Sequence, residues 1–506
     1  MVRDIWMRPA MAGAGGAIAP GLRAGWSDGG QLRRRSRRWL LGLAVVVAVG
    51  VGAASALGPL KALLALALLF VVACVWRWPQ LAAYLIIGLT PLTAGMNRGT
   101  ALPLVRPNEA IALLVGVALA TRFIGQLRTG QLPRPRIDRV ELSIVCLAVF
   151  SSLVPLWWMT VRRSPITSDD LLYALVLWKY LGVYALIRMS ISTDRQVGYC
   201  LWISVGAASI VAVLAILQSL GLFGVPRILT TYYAPFGYTN AFQARGSSTL
   251  GLPAATADLM IYNLAIVSGL WMRYRRARAL LASTAALLVL AALAAGEFSS
   301  AIGLVVAVLC IVAVTNSARL LKIFVPAGLV ASQVLQPVFA ARLSGFQSVS
   351  GLPVSWTGRL QNLESYFWPQ LFSNWNFLLG VRPSARIAVA SQGTGYVWIE
   401  SGYTWLLWGG GIPLLASFVF FVVVTAKRGW EVAHRSSGAR RVAGIATFVA
   451  VSVTAVLMLF DPHLTYRGSG DAMFALIALT VARGRQPGRP GVPIEADDPE
   501  EEVQQR

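Results

Sequence analysis

The sequence predicts an all-α fold, a polytopic transmembrane helical bundle of about 12–14 spans with a large extracytoplasmic loop bearing a surface helix. Three observations predict it. Hydrophobic residues make up 56% of the chain and charged residues only 13%, about half the charged share of an ordinary soluble domain. Apolar runs of about 20 residues recur along nearly the whole length, each long enough to cross the hydrocarbon as a helix. The basic residues gather in alternate short loops, the pattern that the positive-inside rule imposes.

Fourteen spans follow from the apolar runs, at 39–58, 60–76, 80–95, 108–124, 140–159, 170–188, 197–220, 252–271, 279–296, 299–315, 320–336, 400–425, 442–460 and 470–483. Placing Arg33 to Arg38 inside and alternating puts Arg77, the run Arg122 to Arg139, Arg188 and Arg195, Arg273 to Arg278, Arg319 and Lys322, Lys427 to Arg441, and Arg483 and Arg485 on the same side. A single missed span would reverse this asymmetry downstream, and it never reverses. The expectation is a multi-pass plasma-membrane protein with both termini cytoplasmic. Residues 1–38 form a basic, disordered tail, 39–484 the transmembrane domain and 485–506 a Pro/Gly-rich, then acidic, disordered tail. Ser36-Arg37-Arg38-Trp39-Leu40-Leu41 has the look of a twin-arginine export signal. The spans that follow at once argue instead for a basic segment that fixes the first span.

The net charge of +23 would suit nucleic acid, but no basic groove interleaved with aromatics is present, so no nucleic-acid partner is expected. Cys74, Cys146, Cys200 and Cys310 each fall inside a span at no metal-ligand or disulfide spacing. No nucleophile elbow, Walker loop, dinucleotide fingerprint or zinc-binding histidine pair appears. No cofactor and no metal are expected.

Two outside segments are too long to be connectors, and long ordered loops are usually functional. Residues 221–251 hold Arg227, Tyr238 and Arg245; residues 337–399 are rich in Trp, Tyr, Asn and Arg. Within the second, Leu360, Leu363, Phe367 and Leu371 repeat at helical spacing over 357–374, which predicts a helix lying apolar face down on the outer membrane surface. Positive-inside pressure keeps arginine out of such loops. Arg227, Arg245, Arg359 and Arg382 therefore stand out as planar, permanently charged forks suited to phosphate, with Tyr and Trp faces for sugar rings. The plain alternative is that they contact lipid headgroups or pair with Glu364 and Glu400. Lys179 and Asp258, inside spans, either line an outward-opening polar cavity or pair, Lys179 with Asp258 or Glu141, to tie helices together. Glu297, at a span's outer end, reads as structural. Of the two histidines, His434 is solvated in a cytoplasmic loop and His463 sits at the outer end of a span, an interfacial anchor or an acid–base group.

Three stretches resemble the O-antigen ligase and O-antigen polymerase family of bacterial surface-polysaccharide enzymes. These are Arg245-Gly246-Ser247 ahead of a span, Arg359 with its Trp/Phe-rich helix followed by Leu379-Gly380-Val381-Arg382, and the aromatic and glycine-rich span entry over 400–413. The plan of many spans with one large outside loop near the C-terminus is also similar, and the resemblance covers roughly residues 80–480. Ligases of the family typically carry a histidine where Glu400 falls, whereas polymerases tolerate its absence. The family's Ser-Arg-Gly turn is here Glu297-Phe298-Ser299-Ser300, so the outside loops must supply that arginine's role.

The resemblance implies a metal-independent glycosyltransferase fed by a polyprenyl-diphosphate-linked oligosaccharide, with membrane lipid and other polysaccharide-assembly membrane proteins as further partners. Arg245 and Arg359 would contact the diphosphate. Glu364, Glu400 and Asp461 are candidates for the base, and Arg227, Arg382, Tyr238, Asp258, Lys179 and His463 for substrate binding. A transporter or flippase for lipid-linked sugars, and a ligase delivering glycan to a lipid, protein or wall acceptor, are the competing readings.

Overall fold

A computed structural model of the chain describes residues 59–97, 105–128, 137–233, 245–336, 354–389 and 395–482, with the isolated positions 48, 50, 52 and 340. The chain divides into two compact units, Met1–Val71 and Val72–Arg506. In the first, the described residues are helical positions 48, 50 and 52 and the beginning of α1 (Pro59–Arg77). The expected span at 39–58, the tails and Tyr238 lie outside the described residues, apart from those three positions.

The second unit is helical throughout its long elements: α2 (Gln80–Thr93), α3 (Pro107–Arg128), α4 (Arg139–Phe150), α5 (Leu153–Val161), α6 (Ser168–Ala174), α7 (Val176–Ser190), α8 (Asp194–Ser219), α9 (Val225–Tyr233), α10 (Pro253–Arg273), α11 (Arg278–Ala294), α12 (Phe298–Thr315) and α13 (Leu321–Val334). After these come α14 (Val354–Asn362), α15 (Trp368–Phe372), α16 (Asn376–Leu379), α17 (Gly402–Arg435), α18 (Gly438–Leu457) and α19 (Ser469–Val481). Among the described residues, nine helical segments are long and apolar enough to cross a membrane. In hydrocarbon a helix is the one open-ended structure that satisfies its own backbone, so the chain is a multi-pass helical membrane protein.

The helices start where capping chemistry allows. Asp138 and Glu141 form a capping box at α4, Thr167 and Asp170 at α6, and Thr193 and Gln196 at α8, each satisfying otherwise orphaned N–H groups. The core is α10, buried on every face from Pro253 to Leu270 and packed by α8, α11, α12, α18 and α19. Its polar residues find partners inside the bundle. Ser204 Oγ donates to Asn263 Oδ1 at 2.8 Å, Thr256 Oγ1 donates to the Ser247 carbonyl at 2.7 Å, and the Tyr262 and Thr454 hydroxyls meet at 2.7 Å. Burial without partners would cost several kcal/mol apiece.

Two features depart from the sequence reading. The helix expected over 357–374 forms as α14, a π-turn at Leu363–Phe367, and α15. Its apolar face does not lie open to a membrane. Leu363, Phe367 and Leu371 are buried, and Phe367 sits edge-on to Trp408 of α17 at 5.2 Å. The wider π-turn rotates α14 relative to α15, which leaves Leu360 exposed. A short antiparallel hairpin, β1 (Arg386–Ala388) with β2 (Tyr396–Trp398), follows in register Ile387 to Val397 and was not expected in an all-α chain.

α17 is broken at Gly411, whose φ of +66° and ψ of −157° lie outside helical space. Pro413 has no N–H for the Gly409 carbonyl. Next to the break, the Trp408 carbonyl accepts from Val381 N at 2.7 Å and from Arg382 N at 3.3 Å, which docks the loop after α16 on the kink.

Candidate functional site

One end of the second unit gathers the ends of α2, α5, α8, α11 and α18 and the starts of α10, α12, α17 and α19. Gly246 makes the first close approach there. A Cβ on it would meet Ala215 Cβ and its carbonyl oxygen at 2.9 Å, and its N–H donates to the Ala294 carbonyl at 2.9 Å. The loop therefore lies directly on α8 and against the end of α11. Arg245 is carried to the α11–α12 turn, where its Nη1 stands 3.2 Å from Glu297 Oε1.

From the other side, α14 presents Trp356 and Arg359 three residues apart on one helical face. Trp356 packs against Phe298 at 6.3 Å and Phe460 at 5.4 Å between ring centroids. Arg359 donates from Nη1 to Asp461 Oδ2 at 2.7 Å and keeps its Nε 3.7 Å from Glu400. Between the two arginines lies a cavity of about 370 Å³, counting its open mouth, lined by Arg245, Glu297, Phe298, Ser299, Trp356, Arg359 and Phe460. Residues 114 positions apart in sequence (359 − 245) thus share one concavity with aromatic walls.

Burial would weaken the charge on Arg359, but Asp461, Glu400 and Glu297 more than offset it and raise its pKa. Burial raises the Glu400 carboxyl, and although Arg359 opposes this, the group stays above the ordinary glutamate value. The cavity thus has two guanidinium groups at its wall and, behind Arg359, a carboxyl whose pKa burial raises. Beneath it, the turn between α18 and α19 sends His463 into the bundle. His463 and Asp258 of α10 are both fully buried, with Nδ1 2.8 and 3.0 Å from the two carboxylate oxygens. Burial disfavours the imidazolium, yet Asp258, then Asp461 and Glu297, more than compensate and raise the His463 pKa.

The remaining expected residues are dispersed. Lys179 donates to Asp471 of α19 at 2.9 Å, not to Asp258 or Glu141. Glu141 instead pairs with Arg188 at 2.8 Å, and Asp258 is taken by His463. Neither Lys179 nor Asp258 lines the open cavity. Glu297, read from sequence as structural, does line it. Arg382 forms a two-pronged pair with the buried Asp170, at 2.9 and 2.6 Å, and Arg227 and Glu364 are exposed. None of these three belongs to the lining. Trp356, Phe298 and Phe460 were not singled out; only Trp356 left a signal, three residues before Arg359 on a helical stretch. A second crevice of about 370 Å³, between α2, α8 and α19, is lined mainly by aliphatic side chains with Thr90, Ser204 and Asp471 as its polar groups. It offers no arginine.

No protein-family model, no curated protein and no solved structure matches the chain.

Proposed function

We propose that the protein is a polymerase-type glycosyltransferase that joins polyprenyl-diphosphate-linked oligosaccharide units into a surface polysaccharide on the extracytoplasmic side of the plasma membrane. The observation that carries this reading is the convergence of Arg245 and Arg359 on one aromatic-walled cavity with Glu297 and, behind Arg359, Glu400 and Asp461. The sidedness rests on charge. The opposite end of the helices carries Arg188, Arg195, the Arg273 to Arg278 cluster and Lys427 to Arg441, which supports a cytoplasmic side for that end.

In the proposed reaction the bond between the donor's anomeric carbon and its diphosphate oxygen breaks. The acceptor hydroxyl oxygen bonds to that carbon. The hydroxyl proton passes to a carboxylate, with Glu400 the favoured group, and the lipid diphosphate leaves with the electron pair. Arg245 and Arg359 neutralise the charge that develops on the leaving group, where preorganised cations in a partly dry site act most strongly. Glu297, Glu400 and Asp461 hold the guanidinium forks in place and yield part of their bonding to the incoming phosphate. Trp356, Phe298 and Phe460 offer flat faces to sugar rings.

A flippase for the same lipid-linked sugars is the second reading, favoured by the Lys179–Asp471 pair inside the helical bundle. Deleting the gene and resolving the surface glycans by size separates the cases. Loss of a polymerase leaves a single repeat unit on the acceptor. Loss of a flippase traps precursor inside, and loss of a ligase leaves long chains on the carrier. Either of the last two outcomes overturns the proposal.

A further inference from the structure

Five of the arginines at the site end are held by carboxylates: Arg106 by Glu109, Arg245 by Glu297, Arg359 by Asp461, Arg382 by Asp170 and Arg386 by Asp169. Arg162, at the C-cap of α5, breaks the pattern. Its Nη1 donates to Asn376 Oδ1, an amide where the others meet an acid, and its Nη2 donates to the Val381 carbonyl at 2.7 Å. Among the described residues no acidic partner is recorded for it. Asp170, which holds the adjacent Arg382, already accepts from both prongs of that guanidinium and from Thr167 N, Thr167 Oγ1 and Ser384 N. The carbonyl end of α5 supplies only a fraction of a charge.

Partial burial without a counter-charge lowers the Arg162 pKa. Among the described residues, two N–H donors at this corner, Arg162 Nε and Trp158 Nε1, are buried without an acceptor, and the guanidinium lies over the Trp158 ring at 5.4 Å. Buried cations are ordinarily paired, and orphaned buried donors ask for an acceptor. The surface beside them is apolar. Leu153, Trp157 and Val161, spaced four residues apart along α5, are all more than half exposed. They form a stripe along α5 whose last member, Val161, immediately precedes Arg162 in the chain.

We infer that Arg162 is the headgroup site of a bound anionic lipid, its phosphate meeting the part of this half-buried side chain that remains open to the surface and its hydrocarbon chains running along the Leu153–Trp157–Val161 stripe. A phosphate oxygen supplies the charge-assisted acceptor that Asn376 and the Val381 carbonyl, both neutral, do not. The site stands apart from the Arg245–Arg359 cavity and does not rest on the transfer reaction proposed above.

The deciding variant is Asn376→Asp, which keeps Arg162 and gives it an internal counter-charge. Full-length protein is inserted into phosphatidylcholine nanodiscs with added phosphatidylglycerol, released, and weighed by native mass spectrometry. Parallel samples carry farnesyl diphosphate or inorganic phosphate as the probe. Wild type is expected to retain one phosphatidylglycerol or one farnesyl diphosphate, and N376D to bind it about tenfold more weakly. Retention of phosphatidylglycerol assigns the site to bulk lipid, and retention of farnesyl diphosphate alone assigns it to an isoprenoid carrier. Equal retention by wild type and N376D overturns the inference, as does retention of inorganic phosphate alone. Arg162→Gln, with its melting temperature measured beside wild type, gives the same comparison by a second route, because N376D also removes the bond that the Asn376 amide donates to the Gln370 carbonyl.

Discussion

At the scale of single residues, the account turns on guanidinium groups fixed by acids. Arg359 is the sharper case, because three carboxylates keep it charged despite burial. Arg359→Ala is expected to reduce chain elongation about 100-fold or more, the cost of losing one preorganised stabiliser of developing charge. Arg359→Lys should recover little, since an ammonium cannot span a phosphate and a carboxylate together. Polymer length on a gel, read beside the expression level of each variant, checks both. Arg245 and Arg359 stood out in the sequence because arginine is disfavoured in outside loops. Of their carboxylate partners, Glu400 was offered by the sequence as an ion-pair partner and does stand beside Arg359, whereas Glu297 and Asp461 were not matched to either arginine because they lie far from them along the chain.

His463 gives a second residue-scale prediction, with its sign fixed by the direction of its shift. Its folded pKa is raised above the ordinary histidine value. The pair with Asp258 therefore contributes stability fully below the unfolded histidine value of about 6.5, and loses it as pH rises through the higher folded value. Asp258→Asn should cost about 3–5 kcal/mol, the usual result of stranding one member of a buried pair. It should also flatten the alkaline limb of the melting-temperature profile. With only two histidines in the chain, and His434 exposed, nitrogen NMR of labelled protein can follow the His463 ring directly. The sequence placed His463 at a helix end and could not show that the turn folds it inward.

At the scale of elements, the spans were the most readable part of the chain. Thirteen of the expected spans, all but 39–58, coincide with a described helix or helix pair, because about 20 apolar residues leave the backbone no other open structure in hydrocarbon. Local irregularities were less readable. The glycine run at 409–411 signalled a turn, but not that it breaks a 34-residue helix and exposes the Trp408 carbonyl to the Gly380–Arg382 loop. Gly411→Ala should destabilise the protein by about 1–3 kcal/mol or more. Alanine rarely adopts that φ, and its Cβ would run into the Leu378 carbonyl. Thermal unfolding in detergent measures the loss. The β-hairpin and the π-turn were invisible because three-residue strands and a single wide turn leave no periodic trace.

At the scale of the whole molecule, the alternation of basic loops gives an orientation that can be tested in intact cells. A cysteine in place of the exposed Ser373, at the site end, should react with a membrane-impermeant maleimide added from outside. One in place of Ser437, at the opposite end, should react only after the cells are opened. Labelling in the reverse order would put the cavity in the cytoplasm and remove the proposed substrate. What sequence could not supply at this scale was the convergence itself, since α14 meets the loop before α10 only after the bundle has closed. The central claim is that these two segments form one site for a lipid diphosphate. Its most direct test is chain elongation by purified protein in proteoliposomes supplied with a polyprenyl-diphosphate-linked oligosaccharide. Wild-type protein is expected to elongate the chain, and both Arg245→Ala and Arg359→Ala to lose that activity. Undiminished elongation in both variants, or none by well-folded wild-type protein, would contradict the central claim.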